Sequence, residues 1–310
     1  MELLLAGVGL LILIVGGDVL VRGAVSLSLH LGIPPLLVSL TIVAFGTSAP
    51  ELLIAVKAAL ENAPGLALGN VVGSNIANVF LVLGVPALIS RLYTDDCDTR
   101  GSYLQMLAVT VIFMGLLYTS PLGVWQGLLL LGILVAVLVW MAMSAIKSRG
   151  GLPEDFDPSE AAALSNGRAA LYVLAGIIAL PFGADILVDA AREIALNSGI
   201  SEEVIGLTLV AVGTSLPELA TTVMAAIRRQ ADVALGNVIG SNMLNILAIM
   251  GVASLFGPLE VPQMMISQDM WVMLAAALVL APFVMFGVKL GRRVGAGFLL
   301  AYAAYMWFLF

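Results

Sequence analysis

Apolar residues run along this chain in stretches of spanning length, at about 3–27, 33–60, 66–91, 102–120 and 123–147, then at about 168–193, 200–227, 233–257, 269–288 and 293–310. About 20 consecutive apolar residues suffice for one helix to cross a bilayer. The pattern predicts an all-α membrane protein of ten transmembrane helices in two sets of five. The one long polar segment, residues 148–167 (SRGGLPEDFDPSEAAALSNG), is rich in acid, Gly and Pro and reads as a solvated linker. It separates an N-terminal five-helix repeat, 1–147, from a C-terminal one, 168–310. The first stretch carries Glu2 where a signal peptide has basic residues, and no small-residue cleavage pattern follows, so it is read as a span.

The two halves match at a constant offset of 167 residues, which pairs Gly46 with Gly213, Glu51 with Glu218, Gly69 with Gly236 and Asn78 with Asn245. Between Ile33 and Leu88 roughly 26 positions are identical to their partners with no gap. This is a duplication. An odd number of spans per half makes the second half enter the membrane from the opposite side. The repeats are therefore expected to be inverted, the arrangement that supports alternating access around a midplane site.

The apolar pattern is interrupted at equivalent places. Residues 41–51 (TIVAFGTSAPE) and 208–218 (TLVAVGTSLPE) put hydroxyls, a glycine, a proline and a carboxylate where lipid-facing sequence is uniformly apolar. Pro50 has no N–H for the carbonyl of Gly46, and Pro217 none for Gly213, so a backbone oxygen is freed near each acid. Such a break is tolerated at membrane depth only under cover of protein or a water-filled cavity, and an ionisable residue there marks an ion path. Thr47, Ser48 and Glu51 lie at i, i+1 and i+4 and face one cavity; Thr214, Ser215 and Glu218 repeat the spacing.

A second motif follows each break, residues 69–78 (GNVVGSNIAN) and 236–245 (GNVIGSNMLN). Ser74 and Asn78, like Ser241 and Asn245, are four apart and share a helix face. Gly69 and Gly73, like Gly236 and Gly240, form a small-residue ridge for close approach of another backbone. Asn75 and Asn242 fit a ligand role and a packing role equally well. Two carboxylates, four hydroxyls, two amides and the freed carbonyls make an all-oxygen set, which suits hard cations such as Ca²⁺ and Na⁺ and not zinc or copper.

Composition narrows the picture further. With 61% hydrophobic and 11% charged residues and a mean hydropathy of +1.10, the chain is not a soluble domain. Its net charge of −7 argues against nucleic acid as a partner. Cys97 stands alone, without a disulfide or zinc partner, and His30 reads as a solvated helix-end residue. With the N-terminus outside, the cytoplasmic side holds Arg22, Arg91, Arg100, Lys147, Arg149, Arg168, Arg228, Arg229, Lys289, Arg292 and Arg293, against Lys57 and Arg192 outside. Both termini are then extracytoplasmic and the linker cytoplasmic. Asp18 and Asp185 form a second symmetric acidic pair, but Arg22 at i+4 makes Asp18 an ion-paired residue, and both stay outside the site. No nucleophile, histidine cluster or nucleotide motif supports an enzyme, and no cofactor or obligate protein partner is read. The expected partners are the lipid bilayer and the transported ions.

GTSAPE, GTSLPE, GNVVGSN and GNVIGSN resemble the two signature repeats of the calcium/cation antiporter superfamily, above all its prokaryotic sodium/calcium exchanger branch. The resemblance implies that the second, third, seventh and eighth spans form the ion path, that the first and sixth slide across them, and that the rest are scaffold. It implies Glu51 and Glu218 as acids shared by Ca²⁺ and Na⁺, and carbonyl and hydroxyl oxygens from Thr47 and Thr214. Ser48, Ser74, Ser215 and Ser241 would contact Na⁺, Asn78 and Asn245 would form the inner rim, and Ala44 and Ala211 would complete the metal-ligand set. Asn245 is an amide where some members carry a carboxylate, and the resemblance therefore implies no K⁺ requirement. The implied function is secondary antiport of Na⁺ for Ca²⁺ by alternating access in a prokaryotic inner or plasma membrane. Proton-coupled Ca²⁺/cation exchange through the same glutamates is the alternative, because buried carboxylates take protons.

Overall fold

In lipid the backbone polar groups of an apolar stretch are satisfied only within a helix, so each stretch folds as one or breaks under cover of its neighbours. The computed structural model describes residues 1–92, 99–147, 164–198 and 212–309. The linker residues 148–163, Cys97 and Ala211 lie outside them. The helices are α1 (Glu2–Leu31), α2 (Pro35–Thr47), α3 (Ala49–Leu60), α4 (Pro64–Ile89), α5 (Arg100–Leu117) and α6 (Val124–Lys147). They continue as α7 (Asn166–Asn197), α8 (Leu216–Ile227), α9 (Ala231–Phe256), α10 (Met265–Phe286) and α11 (Arg292–Leu309). Among the described residues seven helices are long and apolar enough to cross a membrane, or eight if the bent pair α2 and α3 is one span. The chain is an all-helical membrane protein. The stretch expected from residue 200 is described only from residue 212, where it leads into α8.

Burial separates the centre from the periphery. The most apolar windows of α4 and α9 are 72% and 89% buried, against 33% in α1, 17% in α6 and 28% in α7. The two motif-bearing helices α4 and α9 are thus enclosed by protein, through Leu68, Val71, Val72 and Ile76 on one and Val233, Leu235, Val238 and Ile239 on the other. Leu3, Leu171 and Ile178 on α1 and α7 are 80%, 62% and 71% exposed, the outward apolar surface that lipid requires.

Glycine sets two close helix crossings that bear on the site. A Cβ on Gly9 would sit 2.7 Å from the Leu187 nitrogen and 2.9 Å from the Gly183 oxygen, and one on Gly176 would sit 3.0 Å from the Gly16 oxygen. Gly9 and Gly176, like Gly16 and Gly183, are 167 apart, so α1 and α7 cross backbone to backbone at equivalent points. At the centre, a Cβ on Gly240 would lie 2.6 Å from the Leu40 oxygen, and one on Gly236 3.0 Å from the Leu36 oxygen. The expected ridge on α9 therefore receives α2. Gly69 and Gly73 meet nothing within 4 Å among the described residues. The residues equivalent to Leu36 and Leu40 are 203 and 207, outside the described residues.

Two short backbone clasps join the halves. Leu92 and Leu290 exchange N–H···O bonds of 3.0 and 3.3 Å, and Leu122 and Leu259 exchange bonds of 2.9 and 2.8 Å. Leu92 and Leu259 are themselves 167 apart, so one end of α4 and of α9 is fastened to a loop of the other repeat.

Candidate cation site

Each glutamate opens a helix just past a break. Ser48, with φ −86° and ψ 10°, separates α2 from α3, which meet at 48°; Ser215, with φ −87° and ψ 3°, precedes α8. The dihedrals agree because the local sequence T-S-x-P-E is the same. Pro50 and Pro217 take the second helical position, where a missing N–H costs nothing, and Glu51 and Glu218 follow in the first turn. The Ser48 N–H donates to the Ala44 carbonyl at 3.0 Å, and the one proton of the Thr47 hydroxyl is within reach of either that oxygen or Asn237 Oδ1, each at 3.3 Å.

Glu51 and Glu218 are each 1% exposed. Ser48 Oγ of one half donates to Glu218 Oε1 of the other at 2.9 Å. Thr47, Ser48, Ser74, Asn78, Thr214, Ser215, Ser241 and Asn245 are all buried as well. Among the described residues, six buried oxygens of this set have no hydrogen-bond partner: Glu51 Oε2, Glu218 Oε2, Asn78 Oδ1, Asn245 Oδ1, Ser215 Oγ and Ser241 Oγ. Leaving one such group unsatisfied costs about 1–3 kcal/mol. These oxygens come from both halves, and together with the two carboxylates they form a donor set of the kind that suits a hard cation.

Reading the chain alone missed three features. Asn70 Nδ2 donates to the Glu51 carbonyl at 3.3 Å and Asn237 Nδ2 to the Glu218 carbonyl at 3.4 Å, which ties each second motif to the acid of its own repeat. Asn237 also reaches across, since its Oδ1 lies 3.3 Å from Thr47 Oγ1. The available signal was their recurrence as the second residue of both motifs. The helices also widen into π-helical turns at Asn78–Val82 and Asn245–Met250, so each candidate amide stands where the helical register changes. Third, Asp18 binds not only Arg22, at 3.2 Å, but also Arg228 just past the end of α8, through Nε at 2.6 Å and through a terminal guanidinium nitrogen. His30 ends α1 and donates from Nε2 to the Leu164 carbonyl at 2.8 Å. Asp185 is exposed.

The family model described as sodium/calcium exchanger protein matches residues 1–143 and 168–310. The sodium/calcium exchanger MaX1 of Methanosarcina acetivorans is 34% identical over 337 residues, covering 97% of this chain and 96% of that protein. The Ca²⁺/H⁺ antiporter ChaA of Bacillus subtilis is 25% identical over 283 residues, covering 84% and 78%. Among solved structures, the sodium-calcium exchanger NCX_Mj soaked with zero Na⁺ and Ca²⁺ matches with a TM-score of 0.85 at 32% identity, covering 100% of this chain and 99% of that one.

Proposed function

The chain belongs to the sodium/calcium exchanger protein family, and we propose that it exchanges Na⁺ for Ca²⁺ across the membrane as a secondary antiporter working by alternating access. The observation that carries the reading is the buried pair Glu51 and Glu218, one from each half, together with buried amide and hydroxyl oxygens of both signature motifs that have no partner among the described residues. Two carboxylates cancel one Ca²⁺ or two monovalent cations. Without cations, closing the site would bury two like charges unpaired, which is prohibitive. Loaded states cross and the unloaded state does not, so flux in one direction requires flux in the other. Glu51, Glu218, Thr47, Thr214, Ser48, Ser215, Ser74, Ser241, Asn78 and Asn245 form the proposed ion-binding set, with the carbonyls of Ala44 and Ala211. The relatives named above are transporters, which supports a non-enzymatic role.

We read the architecture as ten spans in two inverted repeats, 1–147 and 168–310, joined by a cytoplasmic linker, with both termini outside and the protein in a prokaryotic inner membrane. Contacts at the two faces support this. His30 meets Leu164, Asp18 meets Arg228 and Leu92 meets Leu290, all pairs that this topology puts toward one face, while Leu122 meets Leu259 toward the other.

The test is ⁴⁵Ca²⁺ movement in proteoliposomes under an imposed Na⁺ gradient, with Li⁺ and K⁺ as controls. Na⁺-driven uptake that Li⁺ and K⁺ do not match is the expected result, and its absence overturns the proposal. Similarity to ChaA favours a second reading, proton-coupled exchange at the same glutamates. It predicts Ca²⁺ flux driven by a pH gradient in the absence of Na⁺.

A further inference from the structure

Four amides of the second motifs, Asn75, Asn78, Asn242 and Asn245, are 2%, 1%, 2% and 0% exposed and bond to one another across the two halves. Asn75 Nδ2 donates to the backbone carbonyl of Asn242 at 3.2 Å and to Met273 Sδ at 3.8 Å. A carbonyl and a thioether only accept, so the nitrogen edge of Asn75 must face them. Its Oδ1 edge is thereby turned to Asn245, whose Nδ2 donates to it at 3.0 Å. That bond uses the nitrogen edge of Asn245 and leaves its Oδ1 buried and without a donor.

The mirror image holds in the other half. Asn242 Nδ2 donates to Met106 Sδ at 3.7 Å, and Asn242 Oδ1 accepts from Asn78 Nδ2 at 3.0 Å. Asn78 Oδ1 is then the bare atom. Met106 and Met273 are again 167 residues apart, so the amide-to-amide and amide-to-thioether contacts of the relay are duplicated. The two edges of an asparagine amide are nearly equal in shape but opposite in chemistry, because the oxygen accepts and the nitrogen only donates. An asparagine free to turn would have to be brought oxygen-first by the cation itself, a reorganisation that an amide already held in that orientation avoids.

We propose that Asn75 and Asn242 are positioning residues that hold the amides of Asn245 and Asn78 with oxygen presented to the transported cation, each half orienting the ligand of the other. The inference rests on the reading of Asn78 and Asn245 as ligands. It assigns Asn75 and Asn242 no contact with the ion.

Equilibrium ⁴⁵Ca²⁺ binding to the purified full-length chain tests it, with leucine as an apolar replacement of similar size. Asn75→Leu should weaken Ca²⁺ binding on the order of tenfold, the usual effect of removing a group that orients a metal ligand. On an Asn245→Leu background, where the ligand is already gone, the same change should cost less than about twofold, and on an Asn78→Leu background the full factor again. Asn242→Leu should show the reverse pattern. Equal factors on both backgrounds would mean that Asn75 only supports the fold, and this result overturns the proposal, as does unchanged binding in Asn75→Leu. If Asn75→Leu is not monodisperse, the same comparison is made with Asn75→Ala. Binding needs no gradient, so a chain that binds Ca²⁺ without exchanging it for Na⁺ sinks the antiport reading while the crossed pattern still decides the relay.

Discussion

Glu218→Gln removes one unit of charge and almost nothing else. The amide oxygen of glutamine still accepts the 2.9 Å bond from Ser48, and the side chain keeps its size in a position that is 1% exposed. What changes is the count. A Ca²⁺ ion in the proposed site is neutralised by Glu51 and Glu218 together, so with one acid gone a full positive charge remains buried without a counter-charge. Breaking a buried pair in this way costs about 3–5 kcal/mol. At about 1.4 kcal/mol per decade, Ca²⁺ binding should weaken by roughly two to four orders of magnitude. A monovalent ion is still neutralised by Glu51, so Na⁺ binding should weaken far less, and the variant should change from divalent to monovalent preference. Equilibrium ⁴⁵Ca²⁺ and ²²Na⁺ binding to purified protein measures both, and Glu51→Gln should behave alike. A loss of Ca²⁺ affinity below tenfold, or equal losses for the two ions, would refute the shared-charge argument.

Acidification should inhibit Ca²⁺ exchange in proteoliposomes, because a protonated carboxylate no longer balances the ion; a flat profile from neutral to mildly acid pH would count against the carboxylates as ligands. Gly240→Ala should destabilise by about 1–3 kcal/mol, since its Cβ would lie 2.6 Å from the Leu40 oxygen and 2.8 Å from the Leu40 Cα, both backbone atoms. Gly115→Ala, with nothing within 4 Å, is the tolerated control, and melting in detergent compares the two. Asp18→Asn and Arg228→Gln should each lower stability and be non-additive by about 1 kcal/mol in a double-mutant cycle; simple additivity would mean that the contact contributes nothing.

Much of the architecture was legible because membrane insertion writes itself into composition. Nine stretches expected from apolarity coincide with described helices within a few residues, as 3–27 does with Glu2–Leu31 and 66–91 with Pro64–Ile89, and the tenth is described from residue 212. The site residues stood out for the same reason, since a carboxylate in lipid-depth sequence has few structural excuses. The π-helical turns at Asn78 and Asn245 were not legible. One extra residue in a turn changes no composition and leaves the spacing of the motif intact. The roles of Asn75 and Asn242 were equally hidden, because they depend on which atoms of the opposite half lie across from them. Asp18 shows the limit most clearly: its partner at i+4 follows from helix geometry, whereas Arg228 lies 210 residues away.

The duplication is strict at the candidate cation site and loose at the ion pair between Asp18 and Arg228. Thr47, Ser48, Glu51, Ser74, Asn75, Asn78 and Met106 recur unchanged as Thr214, Ser215, Glu218, Ser241, Asn242, Asn245 and Met273. Arg228 does not recur. Its equivalent is Glu61, which pairs with Lys57 at 3.9 Å, and the equivalent of Asp18 is Asp185. The contact between Asp18 and Arg228 therefore has no mirror image, because the same geometry in the other half would oppose two carboxylates. If the proposed exchange by inverted repeats holds, exact symmetry would give the two access states equal populations, and any contact made in only one of them would shift the ratio about tenfold per 1.4 kcal/mol. The asymmetric pair lies between α1 and the residue that follows α8, outside the proposed ion-binding set.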